Sequence, residues 1–358
     1  MSNLKLVIFE NAKELGRKVN LNLQKIKESD DKYIVPITAS RFTNGEGKIR
    51  VEESVRDKDL YILTDPSNYS INYNFHGMKH HMSPDEHYQD VKRLISATSG
   101  HAAKINLIMP LLYQSRQHKR KGRESLDCAL ALQELEKLGV NNIITIDAHD
   151  PNVANAVPNL AFYNIYPTGI IIDRLLENID IENVLVISPD MGAMERARYY
   201  AEIFGCDVGM FYKRRDVSKV VNGKNPIIEH VYLGGDIKDK DVIVVDDMIA
   251  SGGSMLETAE ILKKKGARHV YLVSTFALFT EGIEHFDKYY EKGLFDKVYA
   301  TNLAYVPENI KEKNWYYDVD CSLLIAKIIN KLNNMESLED INNKQKVLRK
   351  VNQRREKI

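Results

Sequence analysis

Short apolar runs alternate along the chain with amphipathic stretches of helical period. Strands are predicted over 60–63, 105–109 and 143–147 and helices over 85–98 and 125–138, and the alternation continues through the second half. Strands that alternate with helices predict doubly wound α/β layers with mostly parallel sheets. Ligands of such layers bind outside the carboxyl ends of the strands, so polar residues that directly follow a strand are candidates for function.

The stretch 242–255, with the sequence VIVVDDMIASGGSM, carries the strongest functional pattern. Its first four residues are β-branched and predict a strand that is buried on both faces. Asp246 and Asp247 follow, and then come a loop of small residues and a helix predicted over 256–265. Glycines in such a loop turn backbone N–H groups toward an anion, whereas an acidic pair suits sugar hydroxyls, a metal or both. A phosphorylated sugar fits this combination; the alternative is an ordinary strand-to-helix turn capped by Ser254.

Other polar residues also follow predicted strands. His149 lies in the sequence Asp-Ala-His-Asp, Asp190 lies in Ser-Pro-Asp, and Lys213 follows a strand predicted over 208–212. We interpret His149 as functional, the alternative being a buried histidine bonded to the backbone. The polar segment 214–225 is interpreted as a lid that excludes water when it closes, the alternative being a solvated charge run.

The segment 65–84 is polar and rich in asparagine, and it is predicted to be an irregular surface insertion. It contains His76, His80 and His81, and His87 follows it closely. Histidines in this number could form a metal site. Because the segment has no helical periodicity, a solvated loop is the preferred interpretation.

Length and composition narrow the class of protein. The chain has 358 residues and a net charge of zero, which favours two domains and predicts no nucleic-acid or membrane partner. Cys128, Cys206 and Cys321 each lie in an apolar stretch and are interpreted as buried, reduced thiols. The sequence contains neither a run long enough to span a membrane nor a recognisable signal peptide, so a cytoplasmic location is expected.

Several separated motifs, taken in this order, resemble those of ribose-phosphate diphosphokinases, also called phosphoribosyl pyrophosphate (PRPP) synthetases. The resemblance covers about 41–338. The motifs are RFTNGE at 41–46 with ESVR at 53–56, the segment 113–123 around Arg116 and Gln117, DAH at 147–149, SPD at 188–190 with Glu195 and Arg196, KRR at 213–215, and VVDDMI at 244–249.

The resemblance implies transfer of the diphosphoryl group of ATP to the anomeric hydroxyl of ribose 5-phosphate, which gives PRPP and AMP for nucleotide biosynthesis. It also implies two similar domains of the type I phosphoribosyltransferase kind, Mg²⁺ as cofactor, and a homo-oligomer built from dimers, a hexamer being one arrangement.

The expected domains are a nucleotide-side α/β domain at 1–166 and a ribose-5-phosphate-binding α/β domain at 167–320. A C-terminal helix at 321–341 and a basic tail at 342–358 follow, the tail being expected to form a frayed helix or to be disordered.

The resemblance also assigns roles to single positions. In the ATP site the matching residues are Phe42, Asn44, Glu46, Arg116, Gln117 and His149, of which the first three are presented by a neighbouring subunit in the family. In the ribose-5-phosphate site they are Asp246, Asp247, Ser251, Gly252, Gly253 and Ser254. His149 and Asp190 match the metal contacts, and Lys213 and Arg215 match the catalytic basic residues that close over the phosphates.

Two positions depart from the family pattern, because Ala250 and His118 stand where the family usually has acidic residues. They motivate one alternative, a non-catalytic homologue that binds nucleotide or sugar phosphate and regulates an active partner. A second alternative is a phosphoribosyltransferase, which shares the acidic pair and its loop. That class usually needs only one such domain and does not need the segments at 41–46 and 116–117.

Overall fold

Buried apolar runs form the strands of the fold, and amphipathic stretches form its helices. The structure, a computed structural model, describes residues 3–215, 227–341 and 343–356, with the backbone alone at 213–215 and 227–230. The strands are β1 (Leu4–Ile8), β2 (Ile37–Arg41), β3 (Gly47–Val51), β4 (Asp59–Leu63), β5 (Asn72–Phe75), β6 (Met78–His81), β7 (Lys104–Ile108), β8 (Asn142–Ile146), β9 (Ala161–Ile165), β10 (Val184–Ser188), β11 (Val208–Arg215), β12 (Ile227–Leu233), β13 (Asp241–Ile249), β14 (His269–Ala277), β15 (Lys297–Thr301) and β16 (Tyr316–Val319). The helices are α1 (Lys13–Ile26), α2 (Pro84–Thr98), α3 (Asp127–Lys137), α4 (Thr168–Leu175), α5 (Met194–Phe204), α6 (Gly253–Lys264), α7 (Glu284–Glu291), α8 (Glu308–Lys311), α9 (Ser322–Asn333) and α10 (Lys344–Arg355).

The chain divides into two compact units. The first comprises Met1–Pro167, Asn302–Tyr305 and Asp320–Asn342, and the second comprises Thr168–Thr301, Val306–Val319 and Asn343–Ile358. Helix α9 therefore belongs to the first unit, where it packs against α1, and α10 belongs to the second.

The first unit is built on a parallel sheet of five strands in the order β1-β4-β7-β8-β9. Strand β4 is buried over its whole length, as expected for a strand covered on both faces. Tyr88, Val91 and Leu94 of α2 join the apolar core beside the sheet. Strand β8 ends at Ile146, which places its carboxyl end three residues before His149.

The second unit is built on a sheet of seven strands in the order β12-β11-β10-β13-β14-β15-β16. All neighbours in it are parallel except β11 and β12. The four residues at 242–245 of the central strand β13 are fully buried, as their β-branched side chains predict. The predicted α/β class with mostly parallel sheets is confirmed.

The segment 65–84 is not the irregular loop that its composition predicts. It contains the antiparallel hairpin β5–β6, whose tip consists of His76 and Gly77 at φ angles of +48° and +76°. Two consecutive residues in this conformation form the tight turn that matches the twist of a hairpin. His80 lies 2.9 Å from a carboxylate oxygen of Glu86, and buried His87 lies 2.9 Å from the Asn68 carbonyl. Across the described ranges, no group of three or more His, Cys, Asp or Glu residues is placed to hold a metal ion.

The basic tail forms the helix α10 instead of fraying. Its N-terminus is capped by Asn343, whose side chain accepts a hydrogen bond from the Lys346 N–H at 3.1 Å. Val351 is fully buried, and the helix packs against α4 and α5. Lys344 pairs with Glu202 of α5. Tertiary packing and ion pairs thus stabilise a helix that the polar sequence predicts only as a frayed one, with disorder as the alternative.

Two strands run further than the sequence predicts. Strand β11 continues to Arg215 and β13 continues to Ile249, so Lys213 and the acidic pair lie within strands and not after them. The side chains of Lys213 and Arg215, and the proposed lid from 216 onward, lie outside the described residues. No helix in the described ranges is both long and apolar enough to cross a membrane.

The three cysteines are free thiols. Cys128 and Cys321 are buried, as predicted, whereas Cys206 is only half-buried. Burial raises the pKa of the Cys128 thiol to about 12, so the thiol is protonated at neutral pH. The Cys128 thiol is therefore a packing group and not a reactive one.

Candidate active site

The acidic pair and the helix N-terminus lie close together along the chain in the second unit. Strand β13 carries Asp246 and Asp247 and ends at Ile249, and α6 begins at Gly253 after a loop of three residues. Gly252, at φ +83°, is the N-cap residue, and as a glycine it has no side chain with which to cap the helix. The alternative in which Ser254 caps an ordinary turn is therefore wrong. An uncapped helix N-terminus presents backbone N–H groups and a partial positive charge, which together favour an anion.

Gly252 is required by its surroundings as well as by its conformation. A Cβ atom at this position would lie 2.3 Å from Cζ of Phe286, a fully buried residue of α7. The loop is also fixed by backbone bonds, since Ala250 accepts from the Thr280 N–H at 2.9 Å. The N-terminus of α6 is thus held in place by the core beneath it.

The two carboxylates of the pair have different surroundings. Asp247 is 4% exposed and accepts a hydrogen bond from the Met248 N–H at 2.9 Å. Asp246 accepts from the Asp247 N–H at 2.9 Å and keeps a partly exposed surface. Burial, the Asp247 carboxylate and Asp190 together raise the pKa of Asp246 well above its usual range. The carboxylate oxygens of such a pair can accept hydrogen bonds from sugar hydroxyls.

Asp190 is near enough to act on Asp246 electrostatically. It follows β10, and its Oδ1 atom accepts from the N–H groups of Gly192 at 2.8 Å and Ala193 at 3.2 Å. These bonds fix the carboxylate just before helix α5. The structure therefore brings together three predicted acidic residues at the carboxyl ends of adjacent strands β10 and β13.

His149 is exposed in the first unit, so the alternative of a buried structural histidine is wrong. The turn that exposes it is a strained one, because buried Asp147 has a φ angle of +46°. The Ala148 N–H donates to Oδ1 of Asn164 at 2.9 Å. The ring of His118 lies 5.2 Å from that of His149, which brings the loop at 113–123 beside the end of β8.

Asp150 joins these two loops. Its Oδ2 atom lies 3.3 Å from Nε2 of His118 and 3.2 Å from Nζ of Lys119. Burial opposes ionisation of this carboxyl, but hydrogen bonds from Asn152 and Lys119 lower its pKa overall. His118, which stands where the resemblance predicts an acidic residue, thus contacts an acidic residue from the neighbouring loop.

Arg116 and Gln117 precede His118 in the same loop. The Arg116 side chain is exposed, whereas the Gln117 side chain donates to the Ser125 carbonyl at 2.8 Å. The fold therefore leaves the Arg116 side chain accessible to an anion and gives Gln117 a part in shaping the loop.

Phe42, Asn44 and Glu46 lie on the turn between β2 and β3. The turn is closed by a hydrogen bond from the Phe42 N–H to the Glu46 carbonyl at 2.8 Å. The Asn44 amide donates to the Glu46 carboxylate at 3.0 Å, so these two side chains present paired polar groups. Phe42 is 56% exposed. An exposed aromatic ring beside an amide and a carboxylate has the groups needed to stack on a planar base and bond its edge.

The predicted metal contacts belong to different units, His149 to the first and Asp190 to the second. Each offers one ligand within its own unit. Mg²⁺ commonly keeps several waters and is bound through one or two carboxylates together with substrate phosphates. Either residue, as a single protein ligand, is compatible with an ion that arrives with a nucleotide.

Sequence reasoning missed several residues next to these positions. Asp150 could have been found, because it completes the Asp-Ala-His-Asp sequence. Phe286 and Phe75, which contact Gly252 and Gly45, gave no signal because each is distant in sequence from its glycine.

Two family models match the chain in succession. The N-terminal domain of ribose phosphate pyrophosphokinase matches residues 4–139, and the phosphoribosyl transferase domain matches residues 162–312. The ribose-phosphate pyrophosphokinase of Haemophilus ducreyi is 26% identical over 307 residues, which cover 84% of this chain and 89% of the relative. That of Wolinella succinogenes is 29% identical over 306 residues, which cover 85% and 90%.

A solved structure has the same fold. The crystal structure of phosphoribosylpyrophosphate synthetase from Mycobacterium smegmatis matches 93% of this chain and 100% of its own with a TM-score of 0.76, at 22% identity. The expectation of an enzyme of this kind is confirmed by the named relatives and the successive domain matches. The chain belongs to the ribose-phosphate pyrophosphokinase family.

Proposed function

We propose that this chain transfers the diphosphoryl group of ATP to the anomeric hydroxyl of ribose 5-phosphate and releases PRPP and AMP. The observation that carries the proposal is the N-terminus of α6, which has glycine as its N-cap residue and is separated from the acidic pair of β13 by five residues. A phosphoribosyltransferase would share this feature. The match of residues 4–139 to the N-terminal domain of ribose phosphate pyrophosphokinase favours the diphosphokinase.

The sugar phosphate is assigned to the loop and helix that follow β13. Backbone N–H groups at Gly252 and Gly253 and the hydroxyls of Ser251 and Ser254 would bind the 5-phosphate, since the helix N-terminus there has no side-chain cap. Asp246 and Asp247 would orient the ribose hydroxyls. The charged phosphate would thus bind the N–H groups at the helix end of this loop, and the neutral hydroxyls would bind the carboxylates at its strand end.

ATP is assigned to residues of the first unit. Phe42 would stack on the adenine, and Asn44 and Glu46 would bond its polar edge. Arg116, with an exposed side chain, would bind phosphate oxygens, with Gln117 shaping the loop. The protein is proposed to act as a dimer-based homo-oligomer, because in the family the adenine segment completes the site of a neighbouring subunit.

Mg²⁺ is the proposed cofactor, with His149 and Asp190 as its protein contacts. When bound, the ion would neutralise charge on the ATP phosphates. The side chains of the protein would position the two substrates and exclude water. Phosphoryl-type transfer depends mainly on positioning and charge stabilisation, so residues of this kind are sufficient.

In the proposed reaction the anomeric oxygen of the sugar attacks the β-phosphorus of ATP. The bond between that phosphorus and the oxygen bridging to the α-phosphorus breaks, AMP leaves with the bond's electron pair, and the hydroxyl proton passes to solvent. Lys213 and Arg215 are proposed to stabilise the charge that develops on the transferred group. The Lys213→Ala variant is therefore expected to reduce kcat far more than affinity for ribose 5-phosphate, and equal losses would contradict this role.

The decisive assay incubates the purified chain with ATP, Mg²⁺ and ribose 5-phosphate and measures AMP and PRPP. Formation of both in equal amounts is the expected result. Binding of both substrates without AMP would overturn the proposal and identify a regulatory homologue instead. PRPP consumption with diphosphate release in the presence of a free base would identify a phosphoribosyltransferase.

The adenine assignment is tested with Phe42→Ala. The variant is expected to raise the Kd of ATP about tenfold, because base stacking on an aromatic ring contributes about 1–3 kcal/mol. Its affinity for ribose 5-phosphate should not change. Leu130→Ala, which truncates a side chain of similar exposure (54%) on α3, is the matched control. Unchanged ATP affinity in the Phe42 variant would remove this assignment.

A further inference from the structure

The hairpin β5–β6 lies against the turn that carries Phe42, Asn44 and Glu46. A Cβ atom on Gly45 of that turn would come within 2.9 Å of the Phe75 ring and 3.6 Å of the Tyr73 hydroxyl oxygen. Gly45 also has a φ angle of +89°, which only glycine adopts without strain. The Phe75 ring therefore packs directly on the backbone of the turn.

One face of the hairpin makes these contacts. Tyr73 and His80 are register partners across the two strands with ring centroids 5.1 Å apart, and Phe75 follows Tyr73 on the same face. The opposite face, with Asn74 and Lys79 as partners, is exposed. A hairpin of two four-residue strands is marginal by itself, so its position depends on the face that packs.

Glu86, in the first turn of α2, anchors the packed face of the hairpin. Its carboxylate accepts from the Tyr73 hydroxyl at 2.6 Å and the Ser83 N–H at 2.9 Å, and it lies 2.9 Å from Nε2 of His80. Burial opposes ionisation, but these hydrogen bonds lower the pKa of Glu86 to about 2. The anchor is thus a charged acceptor at neutral pH, and charge-assisted hydrogen bonds are the stronger kind.

The same face also holds the base of the turn. Arg41, the last residue of β2, lies over the Tyr73 ring at 5.4 Å and forms a two-pronged ion pair with Asp90 of α2 at 2.6 and 3.0 Å. Arg93 also donates to Asp90 at 2.7 Å. The turn is therefore fixed at its base by Arg41 and at its side by Phe75.

We infer that the hairpin β5–β6 positions the turn Phe42–Glu46 for recognition of the nucleotide base, and that Phe75 is a positioning residue acting through Gly45. The inference rests on the proposed function, since it takes this turn to be the base-recognition segment. A turn that is ordered before binding loses less conformational entropy when the base arrives, which increases affinity and sharpens discrimination between bases.

The test is Phe75→Ala in the full chain, with Kd values for ATP, GTP and ribose 5-phosphate measured by calorimetry. The variant is expected to raise the Kd of ATP roughly tenfold and to reduce the preference for ATP over GTP. The Kd of ribose 5-phosphate should stay within about twofold, since that ligand is assigned to the second unit. Phe75→Tyr, which restores the ring, should return both nucleotide Kd values to those of the wild type.

Asn74→Ala is the matched control, because it truncates the exposed face of the same hairpin and leaves Phe75 in place. It is expected to leave all three Kd values unchanged. Should Phe75→Ala fail to fold, Phe75→Leu removes the ring while retaining apolar volume, and it carries the same comparison. The melting temperature of each variant shows whether the protein under test is folded.

Three results would overturn the inference: a wild-type ATP Kd with unchanged ATP preference in the Phe75 variant, an equal loss in Asn74→Ala, or an equal loss of ribose 5-phosphate affinity. The last of these would indicate a purely structural effect. Failure of the proposed function is a separate outcome. A wild-type chain that binds ATP but forms no PRPP would contradict that function, while the nucleotide Kd values would still decide the role of Phe75.

Discussion

Two adjacent glycines at the start of α6 are expected to respond in opposite ways to the same substitution. Gly252 has a φ angle of +83°, and its Cβ would lie 2.3 Å from Cζ and 2.4 Å from Cε2 of buried Phe286. Gly253 is not among the glycines with positive φ, and the nearest atom to its Cβ would be 3.9 Å away. Gly252→Ala should therefore destabilise the second unit, whereas Gly253→Ala should not.

The magnitude follows from two separable costs. An L-residue in the left-handed region costs roughly 1–2 kcal/mol. Forcing a buried ring to move typically costs about 1–3 kcal/mol, because the interior is closely packed. Gly252→Ala should therefore lower the free energy of unfolding by about 2–5 kcal/mol. Gly253→Ala should be neutral or stabilise by up to about 1 kcal/mol, since alanine restricts the unfolded chain.

Urea unfolding followed by tryptophan fluorescence measures both variants in the relevant unit. Trp315 is the single tryptophan of the chain, and it is buried with its ring stacked on Phe286 at 5.5 Å. Adding Phe286→Leu to Gly252→Ala should recover the packing cost of about 1–3 kcal/mol but leave the backbone cost. Gly252→Ala, Phe286→Leu, the double variant and the wild type form a double-mutant cycle that separates the packing cost from the backbone cost.

The reasoning would be refuted if Gly252→Ala and Gly253→Ala had the same free energy of unfolding. A cycle without coupling between Gly252 and Phe286 would refute the packing part alone. If the backbone N–H groups here bind the 5-phosphate, Gly252→Ala should also weaken ribose 5-phosphate binding under conditions in which the protein remains folded.

Three further outcomes follow from other parts of the fold. Burial and neighbouring carboxylates raise the folded-state pKa of Asp246, so ionisation of this carboxyl lowers the stability of the fold as pH rises. In urea titrations Asp246→Asn should therefore be more stable than the wild type at about pH 8 but not at about pH 4, and the variant should also lose affinity for ribose 5-phosphate. Burial likewise raises the pKa of Asp65 to about 6, against an ordinary value of about 4, so Asp65→Asn should remove a loss of stability that the wild type shows between about pH 4 and pH 6. Val351→Ala on α10 should lower the free energy of unfolding by about 1–3 kcal/mol because Val351 is fully buried. Lys346→Ala, on the exposed face of the same helix, should change it by no more than about 0.5 kcal/mol, and equal effects of the two substitutions would show that α10 does not pack as described.

Local patterns were sufficient for the parts of the protein that depend on contiguous residues. The β-branched run at 242–245 predicted the central buried strand, because a strand covered on both faces requires apolar side chains in succession. The acidic pair and glycine loop were visible for the same reason, since Asp246 through Ser254 are consecutive. Their grouping with Asp190 followed from the rule that parallel strands end at one edge of a sheet.

Contacts between distant segments decided the rest. The hairpin β5–β6 is rich in asparagine, histidine and aromatic residues. Its position depends on Gly45 and Glu86, which flank it in the chain but gave no periodic signal. The tail forms a helix because Val351 is buried against the second unit and Lys344 pairs with Glu202. A polar sequence by itself predicts neither contact.

Gly252 shows where the two kinds of information meet. The sequence by itself determined that a glycine stands where a strand gives way to a helix, and it suggested an anion as the reason. Only the tertiary structure decided that Phe286, thirty-four positions later, occupies the space a side chain would need. Local propensity is encoded in neighbouring residues, whereas close packing depends on which distant surfaces the fold brings together.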